Sequence, residues 1–180
     1  MTIVPDTKDW TWVLRRPCPE CGFDTQGFAV QAVPEMITAN AVSWQKVLTG
    51  PGPGHVRTRP LAGKWSPVEY GCHVRDVFRL YDQRLELMLS QDDPLFPNWD
   101  QDQTAIDGRY AEQDPAEVAA ALSEAGQVIA GRFAGVAGGQ WQRTGRRSDG
   151  AGFTVESFAR YFIHDPVHHL YDVSGQGSVP

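Results

Sequence analysis

The chain has 180 residues, of which 41% are hydrophobic and 21% are charged, which is typical of one globular domain with a sizeable core. Its net charge of −6 argues against nucleic-acid binding, which needs a basic surface. No stretch approaches the roughly 18 to 20 consecutive apolar residues of a membrane-spanning helix. The first residues lack the features of a secretory signal, and three cysteines cannot close a set of disulfides. We therefore expect a cytoplasmic protein.

Residues 1–33 are predicted to form an irregular extension. Within it, Cys18-Pro-Glu-Cys21-Gly22 is a tight turn that resembles half of a zinc knuckle. A structural zinc needs four ligands, and the chain has no second Cys-x-x-Cys pair. Three interpretations of Cys18 and Cys21 therefore stay open: a turn that only packs, reversible disulfide or other thiol chemistry, and a metal site.

Four segments carry apolar residues at the 3.6-residue period of a helix. They span residues 34–48, 67–89, 115–133 and 155–173. The clearest helix start is Ser66-Pro-Val-Glu69, where Ser66 and Glu69 form a capping-box pattern. Residues 91–113 are predicted to form a long acidic loop, and loops of this length are often functional.

These segments predict an all-α fold: a four-helix bundle with long connections over residues 34–173 and a flexible tail over 174–180. The alternative is an α+β domain built around residues 140–154, where two short extended pieces are expected.

Three of the five histidines fall within the sequence His164-Asp-Pro-Val-His168-His169. On a helix, His164 and His168 are four positions apart and project from one face, which is the spacing that two metal ligands need. Zn²⁺, Ni²⁺ and Fe²⁺ all accept neutral imidazole as a ligand. His73 lies on the buried face of the second helix, near its capped start, and an antiparallel arrangement would bring it to this pair as a third ligand.

Pro166 complicates the choice of ligands, because it cannot donate to the carbonyl of Phe162 and should kink or widen the turn. A local bulge would put His169 in place of His168. Asp165 and Asp172 are candidates to accept a hydrogen bond from a ligand imidazole. The simpler alternative is that His73 is a satisfied core histidine and that the histidines of the last helix hydrogen-bond locally.

Two further residues with potential ligand atoms, Cys72 and His55, are not expected to bind the metal. Cys72 neighbours His73 but points about 100° away from it on a helix, so it should pack in the core. His55 lies in a loop rich in Gly and Pro and should be exposed.

Taken together, Trp65-Ser-Pro-Val-Glu-Tyr-Gly-Cys-His73 and the histidine sequence at 164–169 resemble the DinB-like superfamily, which includes thiol-dependent S-transferases and mycothiol-dependent maleylpyruvate isomerases. The resemblance covers about residues 34–173. It implies a four-helix bundle, often a homodimer, with a divalent metal held by His73, His164 and His168. The knuckle and Pro166 depart from the family's pattern.

The resemblance also implies a small-molecule substrate and favours transfer of a low-molecular-weight thiol to a small electrophile. Four arginines are available to bind the carboxylates of such a thiol: Arg75, Arg79, Arg109 and Arg143. Two other classes compete with a metal-dependent transferase or hydrolase. One is a non-enzymatic, stress-related bundle, and the other is an interaction module centred on the Cys18–Cys21 knuckle.

Overall fold

The computed structural model describes residues 9–50, 55–61 and 63–175. These residues form five α-helices: α1 (Val33–Thr49), α2 (Pro67–Ser90), α3 (Gln101–Asp107), α4 (Pro115–Ala134) and α5 (Val155–Ser174). They also form three short strands: β1 (Leu95–Phe96), β2 (Thr144–Arg147) and β3 (Gly152–Thr154). None of the described helices combines the length and the apolar character needed to cross a bilayer. Residues 1–8, and 176–180 of the predicted tail, lie outside the described part.

The helices α1, α2, α4 and α5 pack around one hydrophobic core, which confirms the predicted all-α bundle. Each begins and ends within about one residue of its predicted bounds. Phe162 of α5 marks the centre of the core, because it is fully buried between neighbouring helices. Its ring centroid lies 5.9 Å from that of Phe78 in α2 and 5.9 Å from that of Phe133 in α4.

The segment 91–113 contains more regular structure than the predicted loop. Asp100 caps α3 by accepting a 2.8 Å hydrogen bond from the backbone N–H of Gln103. The Trp99 indole donates to the hydroxyl of Thr104 at 2.8 Å. The sequence missed α3 because seven residues show too little of the 3.6-residue period to be detected.

The three strands form a small sheet in the order β1-β2-β3. β1 is parallel to β2, with Leu95 opposite Arg146, and β2 is antiparallel to β3, with Gly145 opposite Phe153. With two to four residues per strand, this sheet is an addition to the bundle. The extended pieces expected within residues 140–154 are therefore present, without the α+β domain that was the alternative.

The described part of the N-terminal extension, residues 9–32, lies against α5. Arg160 of α5 donates from Nη1 to the backbone oxygens of Thr25 at 2.6 Å and Phe28 at 3.1 Å. The knuckle is closed by a 2.8 Å hydrogen bond from the Gly22 N–H to the Cys18 carbonyl. Gly22 has φ +74°, a conformation that glycine adopts without strain. Two short 3₁₀ segments complete this region, at Trp10–Leu14 and Val30–Ala32.

The predicted capping box at the start of α2 is present and is reinforced by a cation. The Glu69 carboxylate accepts from the Ser66 N–H at 2.9 Å and from the Ser66 hydroxyl at 2.6 Å. Arg59 also donates to Glu69, from Nε at 2.9 Å. Because Glu69 is buried, it fixes the first turn of α2 and therefore the position of His73, one turn later.

We predict that Glu69→Ala lowers the free energy of unfolding by about 1–3 kcal/mol, because it removes the buried carboxylate that accepts from the Ser66 N–H, the Ser66 hydroxyl and Arg59. Urea denaturation would measure the loss. Glu117→Ala is the control, since Glu117 occupies the first turn of α4 but is exposed. Equal effects from the two substitutions would contradict the role given to Glu69.

Candidate metal centres

Helix α5 carries two pairs of potential metal ligands, each pair spaced by four residues: His164 with His168, and Asp165 with His169. Consecutive residues of a helix are rotated by about 100°, so the two pairs occupy neighbouring faces. α5 runs continuously through Pro166, whose carbonyl accepts a 2.9 Å hydrogen bond from the side chain of Asn40. One helix thus contributes donors to two separate groups.

The first group, here called the thiol–imidazole cluster, contains Cys18, Cys21, His164 and His168. One donor atom from each residue lies within 4.8 Å of the other three. The Cys18 Sγ is 3.7 Å from Nδ1 of His168, and the Cys21 Sγ is 3.8 Å from Nε2 of His164. All four residues are buried, and the Trp10 ring covers both imidazoles, with centroids 5.5 and 5.2 Å away.

Burial sets the protonation of this cluster. It lowers the pKa of His164 to about 4, with a smaller contribution from His168. It also lowers the pKa of His168, to which His169 contributes. Both imidazoles are therefore neutral at neutral pH, as metal ligands must be. Burial raises the pKa of Cys21 to about 12, so this thiol stays protonated until a cation stabilises its thiolate.

The second group, here called the imidazole–carboxylate cluster, contains His73 of α2 with Asp165 and His169 of α5. Nε2 of His73 lies 3.4 Å from Oδ1 of Asp165, and Nε2 of His169 lies 3.9 Å from Oδ2 of the same carboxylate. His73 is fully buried, and neither of its ring nitrogens makes a hydrogen bond with the described residues. The same is true of Oδ1 of Asp165.

Aromatic rings enclose the buried side of this cluster. The Trp99 ring stacks on His73 with centroids 5.3 Å apart, and the Trp65 ring lies 5.4 Å from it. Burial alone would raise the pKa of Asp165, but the imidazoles of His73 and His169 hold this pKa well below its ordinary value. The cluster therefore presents an ionised carboxylate beside two imidazoles.

Asp172 lies between the two clusters. Its Oδ2 is 3.2 Å from Nδ1 of His169 and 3.7 Å from Nε2 of His168, while its Oδ1 accepts from Lys64 at 2.9 Å. Burial opposes ionisation of this carboxyl, but the hydrogen bonds from His169 and Lys64 lower its pKa to about 2. One carboxylate thus contacts an imidazole of each cluster.

The structure divides the predicted ligands between two groups. His73 lies with Asp165 and His169, whereas His164 and His168 lie with the two cysteines of the knuckle. Asp165 was expected to accept a hydrogen bond from a ligand, but it lies where it could bind the metal itself. Asp172 contacts the imidazole of His169, as expected for a residue that orients a ligand. The three cysteines are free thiols, so the knuckle contains no disulfide.

Cys72 and His55, which were not expected to be metal ligands, lie outside both clusters. Cys72 is fully buried, with its Sγ 3.9 Å from the Tyr110 carbonyl, and it belongs to neither cluster. His55 is exposed.

The spacing of the ligand residues in the sequence was a signal for both clusters. Cys-x-x-Cys followed by His-x-x-x-His is the spacing of a zinc site with two thiolates and two imidazoles. Here the second pair starts 143 positions after Cys21, far beyond the short separation of a zinc finger. The Asp165–His169 pair has the same helical spacing as His164–His168, but its members are of different types.

A sequence profile of the DinB superfamily matches residues 37–173. The chain belongs to the DinB superfamily. This match confirms the predicted resemblance and includes both donor pairs of α5 and His73, but neither Cys18 nor Cys21. No curated protein matches the chain significantly.

Among solved structures, the chain is similar to YfiT from Bacillus subtilis, described as a probable metal-dependent hydrolase with an unusual four-helix bundle topology. The TM-score is 0.75 and the sequence identity is 15%, over 82% of this chain and 85% of that chain. At this identity, the similarity establishes a shared fold.

We predict that Asp172→Asn lowers the free energy of unfolding by about 1–3 kcal/mol at pH 7, because the lost carboxylate is stabilised by His169 and Lys64. The carboxyl pKa is about 2 in the folded chain and about 3.9 when unfolded. Its contribution is therefore complete above about pH 4 and disappears as the pH falls towards 2.

Chemical denaturation in the presence of a metal chelator, repeated between pH 7 and pH 2, would test this. The difference between the wild type and Asp172→Asn should shrink below pH 4. Asp92→Asn, which alters an exposed carboxylate, should show no such pH-dependent difference. A constant difference at every pH would contradict the assigned role.

Proposed function

We propose that the chain is a divalent-metal-dependent enzyme that acts on a small molecule, with its metal held by His73, Asp165 and His169. The observation that carries the proposal is the lack of hydrogen bonds at the buried His73 ring. A fully buried imidazole whose two nitrogens make no hydrogen bond with the described residues is unfavourable, since buried polar groups normally have a hydrogen-bond partner. Oδ1 of Asp165 likewise accepts no hydrogen bond from the described residues and lies 3.4 Å from Nε2 of His73, so a cation between these two atoms would satisfy both.

The donor set fits a divalent transition metal. Two imidazole nitrogens and one carboxylate oxygen suit Zn²⁺, Ni²⁺ or Fe²⁺. The contact between Nδ1 of His169 and Asp172 leaves Nε2 as the nitrogen that faces Asp165. Asp172 therefore orients the imidazole and supports its role as a ligand.

The surroundings leave one side of the cluster open. His73 is enclosed by Trp65 and Trp99, whereas the side chains of Asp165 and His169 are 33% and 20% exposed. A small molecule can approach from that side, while the aromatic rings keep water from the buried side. A divalent ion with three protein ligands supplies Lewis acidity at its remaining positions and lowers the pKa of a thiol or water bound there.

The reaction we favour is transfer of a low-molecular-weight thiol to a small electrophile. In such a transfer the thiol sulfur forms a bond to the electrophilic carbon, the thiol proton passes to solvent, and the leaving group departs with the bonding electrons. The DinB family supports this class. Lys64, which already contacts Asp172 beside His169, is the cation best placed to attract a carboxylate of the thiol.

The four arginines first considered for this purpose are already engaged. Arg75 and Arg79 pair with Asp76, and Arg109 pairs with Glu112. Arg143 donates to the backbone oxygens of helix α2 and the residue that follows it. Substrate carboxylates would have to displace these partners. Lys64 is also paired, with Asp172, but that carboxylate contacts His169 of the imidazole–carboxylate cluster, and this position makes Lys64 the stronger candidate.

Hydrolysis is the second candidate, because the structurally similar YfiT is described as a probable metal-dependent hydrolase. Water would take the place of the thiol at the same open side. A homodimer, as is common in the family, remains a prediction.

We predict that the metal-loaded wild type conjugates an electrophilic dye with at least one member of a panel of low-molecular-weight thiols. A chelator should abolish the activity, and Zn²⁺, Ni²⁺ or Fe²⁺ should restore it. His73→Ala removes a ligand and Asp165→Asn replaces a charged ligand by a weaker neutral one, so each should lower the rate by about 100-fold. His55→Ala is the matched control, because His55 lies outside both clusters, and it should retain full activity.

The possible results test different parts of the proposal. Ester or amide hydrolysis without thiol conjugation would replace transfer by the second candidate. Metal bound through His73 without either activity would favour a non-enzymatic metal-binding bundle. Equal metal content in the wild type and both ligand variants would contradict the assignment of the site.

A further inference from the structure

The thiol–imidazole cluster has no part in the function proposed above. It combines two residues of the N-terminal knuckle with two residues of α5, and the knuckle lies outside the region matched by the DinB profile. Its donor types differ from those of the imidazole–carboxylate cluster, because it offers two sulfur atoms and no carboxylate. It therefore requires an explanation of its own.

We propose that Cys18, Cys21, His164 and His168 bind a structural zinc ion that fastens the N-terminal extension to α5. Two thiolates and two imidazoles are a complete ligand set for tetrahedral zinc. Two thiolates also neutralise the charge of Zn²⁺, which allows the site to be buried at little electrostatic cost.

The distances fit a single ion. Zinc–sulfur bonds of about 2.3 Å and zinc–nitrogen bonds of about 2.0–2.1 Å place sulfur and nitrogen about 3.6 Å apart around a tetrahedral centre. The two sulfur–nitrogen distances are 3.7 and 3.8 Å. Two independent S–H···N hydrogen bonds would explain each distance alone, but they do not require all four donors to converge within 4.8 Å.

The local backbone is arranged for this role. The hydrogen bond from the Gly22 N–H to the Cys18 carbonyl and the positive φ of Gly22 form a tight turn that directs both thiols to one side. The four-residue spacing of His164 and His168 places both imidazoles on the facing side of α5. Nε2 of His168 lies 3.7 Å from Glu20 and from Asp172, two carboxylates able to orient the ring.

Burial indicates a structural rather than a catalytic site. The exposed fractions of the four residues range from 1% to 6%, and Trp10 covers the two imidazoles. A catalytic zinc keeps a position for water or substrate, whereas a structural zinc uses four protein ligands. The consequence is a link through the metal between residues 18–21 and residues 164–168, which lie near opposite ends of the described chain.

Metal analysis of the full-length protein would test the proposal. We expect the wild type and His73→Ala to retain one zinc ion per chain that Cys18→Ser/Cys21→Ser loses, together with a fall in melting temperature for the double variant. Cys72→Ala is the matched control, because it removes a buried thiol outside the cluster, and it should retain this zinc. This test is independent of the proposed function. If the imidazole–carboxylate cluster binds no metal, the His73→Ala variant should still contain the zinc ion of the thiol–imidazole cluster.

Cobalt substitution gives a second measurement that does not depend on folding of the double variant. Co²⁺ loaded into the wild type, His73→Ala and Cys72→Ala should produce thiolate-to-cobalt charge-transfer absorption in the near ultraviolet. Wild-type protein that binds Co²⁺ without this absorption would overturn the proposal. Zinc content unchanged by Cys18→Ser/Cys21→Ser would overturn it as well.

Discussion

The arrangement of both clusters depends on one constraint: α5 is buried on two sides, and its two donor pairs are offset by a single residue. A rotation of about 100° between neighbouring positions separates His164 and His168 from Asp165 and His169. One pair faces the N-terminal knuckle, and the other faces His73 of α2. The rotation of α5 within the bundle, fixed by core residues such as Phe162, therefore decides which partners each pair meets.

The two clusters are connected by Asp172, which contacts His168 on one side and His169 on the other. An ion in the thiol–imidazole cluster would hold His168 in place and so restrict the position of this carboxylate. The structural zinc proposed for the extension would in this way support the geometry of the proposed active site. The N-terminal extension, outside the matched family region, would thus become part of the framework of the site.

The sequence predicted the helices well because their signals are local. Ser66 with Glu69 marks the start of α2 through short-range hydrogen bonds, and the structure forms this capping box. Helix α3 was missed because seven residues give too little periodicity to detect.

The ligand groups could be predicted only in part. His73 and the donor-rich stretch of α5 were identified, but the sequence could not show how α5 is rotated or that the knuckle folds back onto it. A contact between Cys21 and His164 spans 143 positions, and no local pattern encodes a contact over that separation. The sequence analysis grouped three histidines as the ligands of one metal. The structure instead divides these histidines between two clusters, one of which also contains two thiols and the other a carboxylate.

The central claim is that α5 serves two metal sites on adjacent faces. X-ray diffraction from crystals of the zinc-loaded protein, measured on both sides of the zinc absorption edge, tests it most directly. Two anomalous peaks per chain are expected, one among Cys18, Cys21, His164 and His168, and one among His73, Asp165 and His169. A single peak ligated by His73 together with His164 and His168 would contradict the account.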